Sequence, residues 1–204
     1  MKKLFLLVIS LLLFGVMRNA NAQSFNKPKG YMGIAEIGGG LGFGDWKADR
    51  VSFSMINGYR FMPQFAVGIG VGVQMAFHDA NYAYEAGNGE GRARDISLPV
   101  FLHLRSDFLN GKVSPYVAFN IGYNLFFDKK NSQAPQSIGG GDYLDSASAD
   151  GLILEPMVGV GFNVGQNRMT VGVGYLLNQM KYTLNGNPDK KMATALTLKV
   201  GYSF

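Results

Sequence analysis

The chain has few residues of the types that carry out acid–base or nucleophilic chemistry. It contains no cysteine and only two histidines, His78 and His103. Asp79 adjoins His78 in a polar stretch, and Ser97 falls on the same face as His103 but six residues away along the chain. A nucleophile needs a base within hydrogen-bond reach, and neither spacing provides such a pair. We therefore predict that the protein is not an enzyme.

Motifs for cofactors and metal ions are equally weak. The glycine run IGGGLGFG precedes no helical pattern, so it does not form a phosphate-binding loop. The segment DKKNSQAPQSIGGGDYLDSASAD carries four aspartates without the spacing of a calcium-binding loop. We predict no cofactor and no metal ion.

Five charged residues are better candidates for a functional cluster, because each lies on the glycine-bearing side of an alternating segment. They are Glu36, Arg60, Arg105, Glu155 and Lys199. If these segments enclose a common interior, the charges must pair, because an unpaired buried charge costs several kcal/mol. We predict an ion-pair network in that interior, with Glu36 beside Lys199. A gated ion path is the alternative interpretation of the same residues.

Strict alternation of side chains defines the segments that position these charges. In residues 65–77, FAVGIGVGVQMAF, every second residue is bulky and apolar, and the residues between are glycine, alanine or glutamine. Seven other segments behave similarly: 31–43, 51–61, 96–105, 114–127, 152–164, the stretch from Met169, and 192–204. Because successive side chains of a strand point to opposite faces, this pattern predicts β-strands with two chemically different faces.

The composition of the two faces distinguishes a soluble sheet from a membrane sheet. A soluble sheet packs bulky residues inward and shows charged or polar residues to water, but here the water-facing side would be largely glycine and alanine. The opposite arrangement, with the apolar face in lipid and the polar face around a lumen, is typical of transmembrane β-barrels. We predict an all-β fold: an eight-stranded antiparallel up-and-down transmembrane β-barrel.

The connections between these strands alternate in length. Short turns are predicted at 62–64, 109–112 and 165–168, and longer polar links at 78–94, 128–151 and 183–190, with a shorter one at 44–49. Outer-membrane barrels have short periplasmic turns and long extracellular loops, which predicts that both termini are periplasmic. Tyr82 and Tyr84 in the 78–94 loop are possible surface contacts.

Two prolines, Pro99 and Pro156, fall inside predicted strands. Each removes a backbone donor from the hydrogen-bond ladder. We expect a β-bulge or a local strand irregularity at these positions or, alternatively, a side opening in the wall.

The first 22 residues have the pattern of a cleaved secretory signal peptide. Lys2 and Lys3 precede a short apolar stretch, and Ala20 and Ala22 form a small-x-small cleavage site. The predicted organisation is a signal peptide at 1–22, a short periplasmic segment at 23–28 and the barrel at 29–204. The signal removes three of the 19 basic residues and no acidic one, leaving 16 against 14, or +2. This balance gives no basic surface for nucleic acid.

Four further stretches carry a family resemblance: the terminal VGYSF, the strand ISLPVFLHLR, the stretch KVSPYVAFNIGYNL, and GYRF followed by QFAVGIGVGV. Because of these stretches, residues 29–204 resemble the outer-membrane β-barrel domain family of Gram-negative bacteria. Small eight-stranded members of that family include the OmpA-barrel and OmpX types. The resemblance implies outer-membrane lipids as the surroundings and insertion by the barrel-assembly machinery. It also implies that Tyr202 and Phe204 form the assembly signal.

The predicted function follows from the width of such a barrel. Eight strands enclose an interior that side chains alone can fill, so a wide diffusion pore is not expected. We predict a monomeric structural or surface-interaction protein whose loops meet an extracellular ligand of unknown identity. The alternative is a narrow porin-like channel or a small-solute transporter.

Overall fold

The computed structural model describes residues 29–43, 48–79, 92–109, 111–126, 136–138, 142–148, 150–165, 167–184 and 187–204. Its strands are β1 (Gly30–Phe43), β2 (Asp49–Met62), β3 (Phe65–Asp79), β4 (Arg92–Asp107), β5 (Val113–Phe126), β6 (Gln136–Ile138), β7 (Asp142–Ser148), β8 (Gly151–Val164), β9 (Asn167–Leu184) and β10 (Asn187–Ser203). This part of the chain contains no helix that is long and apolar enough to cross a membrane.

Eight long antiparallel strands close into a barrel. Strands β1 to β5 pair in chain order, β5 pairs with β8, β8 with β9, β9 with β10, and β10 returns to β1. The eight strands have 14 to 18 residues, more than the 9 to 11 that a tilted membrane crossing requires. Closure pairs the backbone of each strand with two neighbours and leaves no edge in the barrel. The predicted eight-stranded antiparallel barrel is confirmed.

Burial in this barrel is inverted relative to a soluble protein. The outward side chains are large and apolar, for example Ile37 and Val158, which are 63% and 59% exposed. The inward side chains include Glu36, Arg105 and Lys199, all of which are buried. Soluble proteins almost never bury such charges while exposing a continuous apolar surface. An apolar outer wall around a polar interior is the arrangement that a hydrocarbon environment favours.

The sheet extends beyond the barrel at the end that carries the long connections. Pairing of β10 with β1 stops at Thr194, opposite Phe43, whereas pairing of β10 with β9 continues to Asn187. Strand β7 adds to the extended part of β9, and β6 pairs with β7. The predicted polar link at 183–190 is therefore wrong, because most of it belongs to the β9–β10 hairpin. Strands β6 and β7 likewise lie inside the predicted 128–151 link.

Each of the two prolines interrupts one ladder without changing its register. Two residue pairs are missing beside Pro99 in the β3–β4 ladder and two beside Pro156 in the β8–β9 ladder, and the same register resumes beyond them. On the other side the prolines stay aligned with β5, opposite Asn124 and Phe119. The missing pairs follow from the missing N–H. Both prolines therefore show the expected local irregularity but no β-bulge; the β2–β3 register shift lies at Arg60–Met62 instead.

The gap beside Pro156 coincides with a groove on the outer surface. The groove has a volume of about 590 Å³, and its mostly apolar lining includes Phe65, Pro156 and Tyr175. Pairing of β8 with β9 continues on both sides of the gap, so the two strands stay together. A side opening at this position remains a prediction.

Candidate functional site in the barrel lumen

Alternation directs the polar face of every barrel strand into the lumen, where small residues make room for large charged ones. A Cβ at Gly161 would collide with the guanidinium of Arg168, and a Cβ at Gly159 or Gly172 would meet the ring of Tyr116. The charged side chains that are buried in the described part of the chain are Glu36, Arg50, Arg60, Arg105, Asp107, Glu155, Arg168 and Lys199. All of them except Glu36 and Arg50 belong to one of two hydrogen-bonded groups.

The first group surrounds a carboxylate at the end of the barrel that carries the short turns. Asp107 ends β4, and its side chain is fully buried. Its Oδ2 lies 3.0 Å from Nη1 of Arg60, and its Oδ1 lies 3.1 Å from Nη2 of Arg105 and 3.2 Å from Nη2 of Arg168. Arg60, Arg105, Asp107 and Arg168 are termed the arginine cluster below.

Neighbouring groups fix the orientation of the three arginines. The Tyr116 ring covers the guanidinium of Arg105, with Cζ 3.8 Å from the ring centroid, a cation–π contact. Arg60 Nη1 donates to the carbonyl oxygen of Pro63 at 3.1 Å, and Arg168 Nη2 donates to the carbonyl oxygen of Ser114 at 3.1 Å. The cluster and the groups that orient it therefore come from four strands, β2, β4, β5 and β9, and one turn.

The second group, termed the central cluster, converges on Glu155 in β8. Its Oε2 accepts hydrogen bonds from Lys199 Nζ at 2.6 Å and Asn120 Nδ2 at 2.8 Å, and its Oε1 accepts one from Thr197 Oγ1 at 2.8 Å. Asn120 Oδ1 lies 2.7 Å from Nδ1 of His103. An ionised carboxylate surrounded by donors in this way forms charge-assisted hydrogen bonds. The central cluster ties β4, β5, β8 and β10 together across the lumen.

The structure differs from the predicted network in the partner of Lys199. The sequence placed Lys199 beside Glu36, because their strands are neighbours in the closed barrel. In the structure Glu36 lies opposite Gly201, and Lys199 reaches across the lumen to Glu155 instead. Glu36 is buried, forms no ion pair with the described residues, and its Oε2 has no hydrogen-bond partner.

The five predicted charges therefore do not form one network. Glu155 and Lys199 meet in the central cluster, whereas Arg60 and Arg105 meet only through Asp107. Sequence reasoning missed Asp107, which falls beside the predicted turn at 109–112, and Arg168, which falls inside the predicted turn at 165–168. Alternation could have identified both residues as inward-facing. Asp107 lies two residues after Arg105 and four after His103, which face the lumen, and Arg168 lies two residues before the inward-facing Thr170.

The remaining predicted site residues lie elsewhere or outside the described residues. Tyr202 and Phe204 are exposed on the outer wall, with ring centroids 6.4 Å apart. Backbone hydrogen bonds of 3.0 and 3.1 Å join Phe204 to Gly33 of β1. Ala20, Ala22, Tyr82, Tyr84 and the side chain of His78 lie outside the described residues.

The free space beside the central cluster is small. A cavity of about 30 Å³ lies beside the central cluster, with Arg50, Gln74, Glu155 and Lys199 in its lining. That volume corresponds to about one water molecule. The described residues include no group of three or more side chains that could hold a metal ion. The geometry is that of a packed polar interior.

Comparison with known proteins identifies similar barrels. The family described as "Outer membrane protein beta-barrel domain" matches residues 6–204. The crystal structure of Neisserial surface protein A (NspA) is similar with a TM-score of 0.50 and 16% identity, over 85% of this chain and 95% of that chain. The solid-state NMR structure of outer membrane protein AlkL gives a TM-score of 0.49 and 18% identity, over 91% of this chain and 93% of that chain. The crystal structure of the N-terminal barrel domain of Pseudomonas aeruginosa OprF gives a TM-score of 0.44 and 15% identity, over 87% of this chain and 100% of that chain. No curated protein sequence matches.

Proposed function

Because the chain belongs to the outer membrane protein beta-barrel domain family, we propose that it is an integral outer-membrane protein that holds a surface of extracellular loops in the envelope. The observation that carries this proposal is the inverted burial. Apolar side chains such as Ile69 and Leu198 cover the outer wall, while charged side chains fill the lumen. Such a wall suits lipid on all sides, and the packed lumen favours a structural or interaction role over transport.

The proposed orientation follows from the two ends of the barrel. Strand β1 begins and β10 ends at the rim that carries the short turns, and the long connections lie at the other rim. By the general rule for outer-membrane barrels the short turns face the periplasm. We therefore place both termini in the periplasm after removal of the signal peptide at 1–22. The expected partners are outer-membrane lipids, the barrel-assembly machinery acting on Tyr202 and Phe204, and an extracellular ligand of unknown identity.

Single-cysteine labelling tests this orientation, since the chain has no cysteine of its own. On intact cells, a membrane-impermeant maleimide is expected to label Tyr82→Cys, in the long connection between β3 and β4. The matched variant Gly111→Cys, in the short turn between β4 and β5, is expected to react only after the cells are lysed. Labelling of Gly111→Cys on intact cells, with Tyr82→Cys protected, would contradict the proposed orientation.

The channel alternative is tested by solute flux. Proteoliposomes that contain the folded protein are expected to swell in a small-sugar solution no faster than protein-free liposomes, because the cavity beside Glu155 has room for about one water molecule. Lys199→Met, which removes the cation from the central cluster, is the comparison variant. Rapid swelling of the wild type that changes in this variant would establish a channel and overturn the structural interpretation.

A further inference from the structure

The arginine cluster carries more positive than negative charge. Arg60, Arg105 and Arg168 contribute three positive charges, because a guanidinium does not lose its proton in proteins, and Asp107 contributes one negative charge. The next buried carboxylate, Glu36, forms no ion pair with them. The described part of the cluster therefore holds a net charge of +2 away from water. Uncompensated buried charge is costly, so a compensating anion would stabilise this end of the barrel.

Arg168 has donors that no group in the described part of the chain uses. Its side chain is 7% exposed, and its Nη2 serves Asp107 and Ser114. Its Nε and Nη1 are buried and have no hydrogen-bond partner. Most buried polar groups in proteins are hydrogen-bonded, and leaving a charged donor unsatisfied costs more than leaving a neutral one. The unused donors of Arg168 therefore mark a position that favours acceptor oxygens.

From this charge and these donors we propose that the arginine cluster is a binding site for a tetrahedral oxyanion of the phosphate class. A divalent oxyanion would balance the charge of +2, and guanidinium N–H groups match its oxygens in a two-point geometry. Arg168 supplies the unused donors, and Arg60 and Arg105 supply the surrounding charge. Asp107 holds the three guanidinium groups apart and oriented before the anion binds.

The glycine beneath Arg168 is part of the same site. A Cβ at Gly161 would collide with Nε, Nη2 and Cζ of Arg168, so the Nε–Nη2 edge of the guanidinium lies directly against this glycine of β8. Any side chain at this position would push the guanidinium away from its place beside Asp107. Gly161 therefore sets where the unused donors lie.

The site lies at the end of the barrel that carries the short turns. Arg60, two residues before the end of β2, is 8% exposed, and Arg168 is the second residue of β9. In the proposed orientation this rim faces the periplasm, so the anion comes from the periplasm. Both free phosphate and a phosphate monoester present the same dianionic group, and the experiment must distinguish them.

Calorimetric titration of the folded barrel in detergent tests the proposal. Inorganic phosphate and glycerol 3-phosphate are titrated separately, with ionic strength held constant by chloride so that general screening does not change. We expect saturable binding of inorganic phosphate. Binding of phosphate alone supports a site for the free ion, and binding of both compounds supports a site that also accepts an ester. Binding of neither to the wild type overturns the proposal.

Three variants locate the binding. Arg168→Gln is expected to weaken phosphate binding at least about tenfold, a change of about 1.4 kcal/mol, and Gly161→Ala is expected to weaken it in the same direction. Arg50→Gln is the matched control, because Arg50 is also a buried arginine with an unpartnered Nη1 but lies at the opposite end of the barrel. Unchanged binding in folded Arg168→Gln, or loss in Arg50→Gln alone, would overturn the assignment.

A measurement on the wild type decides the matter if the Arg168 variant does not fold. Crystals of the wild-type barrel soaked in selenate, a tetrahedral dianion with an anomalous signal, are expected to show a peak within hydrogen-bond distance of Arg168 Nε or Nη1. A peak only at other positions, or none, would contradict the proposed site.

Discussion

The variant Asp107→Asn is expected to lower the free energy of unfolding by about 3 to 5 kcal/mol, the usual cost of breaking a buried ion pair from one side. Asn keeps the shape of the side chain and one acceptor oxygen, so the change is mainly one of charge. The described cluster would then hold three guanidinium groups and no carboxylate, and its net charge would rise from +2 to +3. Among the described residues, no other carboxylate forms an ion pair with these arginines to compensate.

The measurement is urea unfolding of the barrel in detergent micelles, followed by circular dichroism. Asp49→Asn is the matched control, because Asp49 is exposed at the start of β2 and its Oδ1 accepts only a 3.3 Å hydrogen bond from the backbone of Gly42. Surface substitutions of this kind change the stability by about 0.5 kcal/mol. Equal effects of the two substitutions would show that Asp107 does not organise the arginines, and the arginine cluster would lose its structural basis.

The barrel was predictable from the sequence because the membrane imposes alternation. In segments such as 65–77 the outer face must be apolar and the inner face must fit a narrow lumen. The side chains therefore alternate between the two types without interruption. Beyond the rim this constraint ends. The residues from Asn187 to Lys191 read NPDKK, which gives no alternation, yet they pair with β9. The extended hairpin is specified by pairing to a neighbouring strand, which a single segment of sequence does not reveal.

The site was only partly predictable for a related reason. Alternation assigns a side chain to the inner face, and Glu36, Glu155 and Lys199 were placed there correctly. Alternation does not give the position of a residue along the barrel axis relative to residues on strands across the lumen. That relative position decides that Lys199 reaches Glu155. It depends on the stagger of all the strands between them.

A second effect of similar size is expected at the central cluster. Glu155→Gln should lower the free energy of unfolding by about 3 to 5 kcal/mol, because it leaves the ammonium of Lys199 buried without its 2.6 Å partner. Gln keeps an oxygen that can accept from Asn120 or Thr197, so loss of the ion pair dominates. Urea unfolding of the variant in micelles gives the value directly.

Combining this substitution with Lys199→Met separates the pair from its surroundings. Each single substitution leaves one buried charge without its partner, whereas the double variant removes both charges of the pair. We therefore expect the double variant to lose less stability than the sum of the two, with a coupling energy of about 1 to 3 kcal/mol. Additive losses would show that Lys199 and Glu155 are stabilised by other groups.

Glu36→Gln provides the sharpest control, because it makes the same chemical change at the same burial. Glu36 and Glu155 are each 4% exposed, but only Glu155 has an ion-pair partner and three donors. A buried carboxylate without a partner costs free energy that its neutral amide does not, so Glu36→Gln should leave stability unchanged or raise it. If Glu36→Gln instead destabilised the barrel as strongly as Glu155→Gln, Lys199 would be shared between both carboxylates. Glu36 would then belong to the central cluster beside Lys199, as the sequence predicted.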